Sequence, residues 1–526
     1  MQRIRWLGIP LGYGFLLAIG LIWLVAIQAA RVSAEPFETH SRAVLYVSTQ
    51  GMDAGNDCLN STAPCQTVQH TIQVAQAGDY IHVAGGTYRG SMFESELGMG
   101  VTATVIISKE ISSFLGGYSP DFSIRDIDAY ETRLDASGTP GAHVAVLAYT
   151  NVRFGGFTLT GGNGAYSPER FYYPGGAIRV FGGSPTISDN KIIHNQAYRR
   201  GGGIYAGRGS TPSIVNNSII SNSVITLEAE DTSDGGGIYI ASGPVLIQNN
   251  TILSNVARGE GAGIYIGWNV EATIISNTIA YNRLLDPFDG QGAGIHTTGD
   301  NLLVVIRGNH IYANSLIGGF DGSGLYISSP AIIDGNWIED NHAPSGRSAV
   351  CITDVTAPVT ITNNIIVENA GTGVRSINNQ NLRLFNNTIA MNSYRGVQVL
   401  FPVDDPIGLA SFTLQNNIVA SNGECGVFIE NEGKQVLDYN DIVGHRYQYC
   451  GFPDIQDHNL SINPVFVDPS AGDYHLLSGS PAINHGNDAI APMTDYDGTQ
   501  RSLYYQVDMG ALEFVYLKVF LPITRK

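Results

Sequence analysis

The stretch Asn249–Asn282, NNTILSNVARGEGAGIYIGWNVEATIISNTIAYN, decides the fold. It opens and closes on the same unit, Asn-x-Ile-x-x-Asn, first as Asn250/Ile252/Asn255 and 27 residues later as Asn277/Ile279/Asn282. Between them lie Gly-x-Gly with an aliphatic residue (Gly261–Ile264) and an apolar residue, Ile274, five before the next motif Ile. Three short apolar runs per period, parted by Gly and Asn turns, are too short for helices.

The unit recurs on both sides. Upstream it is Asn190/Ile192/Asn195 and Asn217/Ile219/Asn222; downstream it runs through 309, 336, 364, 387 and 417 to a degenerate Asn440/Ile442/His445. Successive first Asn residues lie 23 to 33 apart. One such period cannot bury its own apolar face, whereas stacked periods bury a continuous core. Three short strands per coil, with the coils stacked, form a parallel β-helix. Asn suits its tight turns because it tolerates left-handed backbone, and its amide can bond the amides one coil above and below.

Composition agrees. Gly is 63 of 526 residues, which argues against a helical fold. Charged residues are only 14 %, which excludes a coiled coil, while 43 % hydrophobic residues exclude disorder. A net charge of −18 with no basic run makes nucleic acid a poor partner. Neutral sugars or cations suit such a chain, and an acidic polysaccharide would need local Arg or a bridging metal.

Residues 1–34 read as an export segment: Arg3 and Arg5, an apolar run from Leu7 to Ala30, then Val32-Ser33-Ala34. It is either a cleaved signal peptide or an uncleaved anchor, the chain's one membrane contact. Both place the rest outside the cytoplasm. Cys58 and Cys65, flanking a short Pro-containing loop, are expected to pair. Cys425 and Cys450 pair if they fall on neighbouring coils, and Cys351 reads as a buried apolar residue.

The Asn-Asn-Thr-Ile runs at 249–252 and 386–389 resemble the right-handed parallel β-helix repeats of the pectate-lyase-like superfamily. The resemblance spans residues 43–450 and implies an all-β solenoid, not one reaction, since that fold carries lyases, hydrolases, epimerases and inert surface proteins. Residues 35–90 read as an N-terminal cap and first coil, with a strand at 43–47 and a helix over 66–76 with Val68, Ile72 and Ala75 on one face. Residues 91–450 are the coils. Residues 451–514 resemble the choice-of-anchor Q region of exported bacterial β-helix proteins, through Asn463-Pro464, Gly479–Ile483, Asp495-x-Asp497-Gly498 and Asp508–Glu513; Asn484 stands where that family commonly has Asp. An apolar, basic-ended tail, 515–526, closes the chain.

From the motif Ile to the aliphatic after Gly-x-Gly the separation varies from 8 to 19 residues, and the long loops all precede residue 350. Insertions at matching loops gather on one side of a solenoid, often the binding side. There the residue after the aliphatic is Tyr205, Tyr239, Tyr265, His296 and Tyr326, expected to point outward. With Arg258 and Arg283 these form a candidate glycan face. Asp231, Asp234, Asp286 and Asp289 are candidate Ca²⁺ ligands, with Asp53 and Asp57 weaker. No cofactor is otherwise required, and a monomer is expected.

Enzyme signatures are incomplete. Asp286-Pro287-Phe288-Asp289 resembles the Asp-Pro-His-Asp motif of alginate epimerases, but Phe288 replaces the acid–base His. Gly444-His445-Arg446 is not the Gly-His-Gly of polygalacturonases, and Asp404-Asp405 lacks that family's flanking residues. The expectation is an exported or cell-surface protein that binds polysaccharide or builds the envelope. The alternative is a Ca²⁺-assisted lyase acting on an acidic glycan.

Overall fold

The computed structural model describes residues 42–515 except 95–99, 165–173, 226–232, 288–289, 300–301, 319–320, 345, 404–409 and 502–504. The export segment and the tail beyond Val515 lie outside the described residues.

Three long sheets wind around one apolar interior. Sheet A has 14 strands, from Val44–Val47 to Lys434–Asp438. Sheet B has 13, from Gly86–Tyr88 to Asp441–Val443. Sheet C has 14, from Met92–Glu94 to Tyr447–Gly451. Pairing is parallel from coil to coil, apart from the antiparallel first pair of sheet C. The repeat residues fill the interior in columns: Ile204, Ile238, Ile264, Ile295 and Leu325 from sheet C are all fully buried, as are Ile192, Ile219, Ile252 and Ile279 from sheet B.

The coils are richer than the sequence suggests. Among the described residues five of them carry a fourth short strand between sheets B and C, from Gln196–Tyr198 to Ser315–Leu316, forming sheet D. Two Asn ladders, one per motif Asn, fix the corners on either side of sheet B. In the first, the Asn250 N–H and Nδ2–H both donate to Asn277 Oδ1 (2.8 and 3.0 Å), and Nδ2 also donates to the Ile214 carbonyl. In the second, Asn255 does the same toward Asn282, with Ile219 O as the third partner.

The ladder Asn residues are not the left-handed ones. Positive φ falls on the residue before each: Asn249, Ser254, Ser276 and Tyr281 around the opening stretch. That residue turns the corner and aims the next side chain into the stack. Asn fills both positions in the Asn-Asn pairs, for two different reasons.

At the N-terminal end the helix is Val68–Val74, shorter than expected, with Thr67 as N-cap and Ala75 just past its end. Asp53 accepts from the Gln66 and Thr67 amides and the Thr67 hydroxyl, so it anchors this helix start. Cys58–Cys65 and Cys425–Cys450 are disulfides, and Cys351 is free and buried.

The C-terminal region extends the stack briefly, through bridges at Ile455 and Leu460. It then folds back over sheet B. Tyr474, Leu476, Ile483, Met509 and Leu512 form a second apolar core with Ile365, Val367, Ala390 and Ile418, which face outward from the sheet. Asn363, Asn386 and Asn416, left-handed corner residues, donate to the carbonyls of Thr494, Asp508 and Asn487. Asn484 is itself left-handed, and its N–H donates to Asp508.

Candidate functional site

Tyr205, Tyr239, Tyr265, His296 and Tyr326 occupy one register position on successive strands of sheet C. Parallel pairing without slippage puts each ring directly over the last. Their centroids lie 5.5, 4.5, 5.2 and 5.0 Å apart, with interplanar angles of 9 to 19°.

The expected glycan face is built as a stack. The side chains do leave the coil interior, but each ring face is taken by its neighbour. Tyr239, Tyr265 and His296 are only 5, 7 and 2 % exposed. Stacked aromatic pairs are stabilising in their own right, so the array is a structural column with no free ring face along its middle. Burial holds His296 neutral, its pKa lowered to about 3, and pushes the Tyr239 hydroxyl up to about 12 and that of Tyr265 higher still. His296 Nε2 lies 3.4 Å from Glu260 Oε2.

The candidate ions and cations disperse. Asp234 is buried and accepts the Glu260 N–H; Asp286 lies 3.6 Å from Arg258, so these two candidates pair with each other. Asp231 and Asp289 lie outside the described residues, as do Asp404 and Asp405. Arg283 sits on sheet D, away from the column's cleft. Beyond Tyr326 the register continues to Cys351 and Arg375. Arg375 pairs with buried Asp321 at 2.6 Å, and Asp321 also accepts the Ser348 N–H and hydroxyl. Burial pushes the Cys351 thiol far above its usual range, so it stays protonated.

A cleft of about 740 Å³ opens at the other end of the column. Its walls include Tyr205, Tyr239, Arg200, Arg208, Trp268 and Glu271. The floor is cut by small residues two places beyond the aromatic position, Ala241 and Gly267, where the sheet carries almost no side chain. Arg200 approaches the Tyr239 ring at 5.1 Å, and Trp268 is 67 % exposed. Among the described residues neither Arg200 nor Arg208 has a carboxylate partner. The site therefore offers two guanidiniums with open donor capacity, one accessible indole face, two phenol edges and one carboxylate. That set suits an anionic, hydroxyl-rich ligand with an apolar ring face.

Sequence reasoning placed Tyr205 and Tyr239 here but missed Arg208, Trp268 and Glu271. It followed the long loops entering sheet C, whereas these three lie on the short loops leaving it. The available signal was Trp268 itself, a lone large ring in the polar turn Gly267–Asn269 of the opening stretch.

A model of the right handed beta helix region matches residues 144–279, 232–389 and 293–456. No curated protein matches the sequence. Among solved structures, pectate lyase Pel9A is similar at 13 % identity and TM-score 0.41, over 90 % of this chain and 96 % of its own. The periplasmic alginate epimerase AlgG is similar at 17 % and 0.39, over 71 % and 85 %. The A-module of the Azotobacter vinelandii mannuronan C-5 epimerase AlgE4 is similar at 14 % and 0.31, over 73 % and 91 %.

Proposed function

The chain belongs to the right-handed β-helix family, and from that premise we propose that it is an exported, secreted or surface-held protein that binds an acidic polysaccharide in the sheet C cleft. The observation that carries this reading is the pair Arg200 and Arg208, exposed and without carboxylate partners among the described residues, beside an open Trp268 face. In a chain of net charge −18 such a local positive site selects anions against the repulsion of the whole. Guanidinium–carboxylate or guanidinium–sulfate bonds fix the charged group, and burial of a sugar's apolar face on Trp268 adds on the order of 1 kcal/mol.

Two disulfides suit an oxidising compartment. Among the described residues no helix is long and apolar enough to cross a membrane. The first 34 residues serve export, and the region after residue 450, folded against sheet B, serves surface attachment.

The lyase reading draws on one feature, Glu271, which puts a carboxylate on the same cleft as the two arginines. A glycan array probed with the exported chain, with and without Ca²⁺, read beside release of unsaturated products, separates the two. Binding without product supports the proposal, and Arg200→Ala with Arg208→Ala should then weaken it tenfold or more. Unsaturated product that disappears in Glu271→Gln would replace binding by catalysis.

A further inference from the structure

A second cleft, of about 370 Å³, adjoins the first and shares Pro244 and Glu271 with it. Its other walls include Pro212, Leu246, Thr211 and Thr273. Leu246 and Thr273 belong to sheet A, so the two clefts together cross the corner from sheet C to sheet A. Each cleft is walled by three or more successive coils, and the two meet across that corner. The two parts differ in charge. The first holds Arg200 and Arg208; the second, among the described residues, has no cationic wall residue, is walled by prolines, aliphatic carbon and the hydroxyls of Thr211, Ser213 and Thr273, and meets the first at a carboxylate.

Building on the reading of the cleft as an acidic-glycan site, we propose that the trough selects an acidic sugar joined to a neutral one, and rejects a chain with an acid on every ring. The sugar in the arginine cleft brings the negative charge. Its neighbour, turned over the corner between Pro244 and Glu271, enters a pocket whose only charged wall group among the described residues is Glu271, which repels a second carboxylate. Pro212, Pro244 and Leu246 instead offer apolar surface to a methyl, acetyl or deoxy substituent. The rings on either side of the corner set the preference, so one disaccharide unit of the ligand carries the selectivity.

Calorimetric titration of the exported chain tests this with two sets of probes: hyaluronan and chondroitin tetrasaccharides, in which acidic and N-acetylated rings alternate, and tetragalacturonate and tetraglucuronate, acidic throughout. The expected result is at least tenfold tighter binding of an alternating probe. Glu271→Gln and Thr273→Lys, both surface changes, should each narrow that preference threefold or more by improving the uniformly acidic probes. Equal or tighter binding of the uniformly acidic probes to the unchanged protein would overturn the selectivity while leaving the arginine cleft in place, as would a preference that neither substitution moves. Failure of all four probes to bind would bring down the acidic-glycan reading, and this inference with it.

Discussion

Coils 190–342 and coils 348–451 are built on the same corners and dressed differently. Both carry the two Asn ladders with the same bonds: the Asn250 N–H reaches Asn277 Oδ1 at 2.8 Å, and the Asn387 N–H reaches Asn417 Oδ1 at 2.9 Å. In the earlier coils the corner residues Asn216, Asn249 and Ser276 are exposed, sheet D widens the turn, and the aromatic column and clefts decorate sheet C. In the later coils the corner residues Asn363, Asn386 and Asn416 are buried, because the C-terminal region lies on them. The interior and its corners make the solenoid; the outer faces decide what each stretch holds, the proposed ligand trough in one case and its own chain in the other.

The largest effect should come from breaking the later stretch. Arg501 is almost fully buried, bonds Glu513 at 2.8 Å and reaches Asn363 Oδ1 and the Gly510 carbonyl. Asp495 and Asp508 lie close by, holding the Glu513 and Phe514 amides. Arg501→Ala leaves buried carboxylates without their cation, a loss of roughly 3–5 kcal/mol. Hydrogen exchange should show residues 466–512 opening while amides of 250–280 stay protected. Uniform loss across both stretches would mean that the C-terminal region is part of the coil stack and not a separate covering.

A slightly smaller effect separates column from cleft. Tyr265→Ala removes a ring buried between two others and should lower stability by about 3 kcal/mol. Trp268→Ala, on the open rim, should change stability by no more than about 0.5 kcal/mol and weaken glycan binding instead. If the two substitutions cost the same stability, the column is not structural.

The ladders were legible because buried polar repeats leave a strict spacing: an amide bonded above and below cannot drift. The aromatic column was legible as positions but not as a surface. Outward alternation says which side of a strand a ring leaves from, and only coil-to-coil register says that the next ring covers it. The covering of sheet B had a signal that went unread. Ile365 and Val367 flank the inward Ile366, and Ile418 and Ala420 flank Val419, so the sheet is apolar on both sides there, whereas Lys191, Ser218, Thr251 and Thr278 keep it polar earlier. Arg208, Trp268 and Glu271 meet only because three consecutive coils align short loops, and no spacing rule marks such a meeting.

Next in size is a test of what the two stretches share. Asn277→Ala and Asn387→Ala each remove a fully bonded buried amide and strand an acceptor or donor on either side. Both should cost roughly 1–3 kcal/mol by urea unfolding, and by similar amounts. A large cost at one and none at the other would show that the ladders are not equivalent and that the corners, too, were divided between the stretches.

The smallest expected effect is a difference of sign with pH. In the earlier stretch His296, and in the coils preceding it His143, are held neutral by burial with pKa values of about 3. The unfolded chain takes up those protons near pH 6.5 and the folded chain does not. Stability from these two groups is therefore complete above 6.5 and falls as pH drops below it, by roughly 1 kcal/mol per histidine per pH unit. In the later stretch burial, with Asp508 alongside, raises Glu513 to about 7, and burial raises Asp441 to about 6. Here the folded chain keeps a proton that the unfolded chain loses above about 4.5, so stability falls as pH rises toward 7. Protection factors corrected for intrinsic exchange should then move in opposite directions between pH 7.5 and 5.5, down for amides 264–297 and up for 505–514. His296→Phe should flatten the first trend and Glu513→Gln the second. Trends of the same sign, or trends that survive those substitutions, would mean that the outer faces do not set local stability, and the contrast between the stretches would reduce to what lies on them.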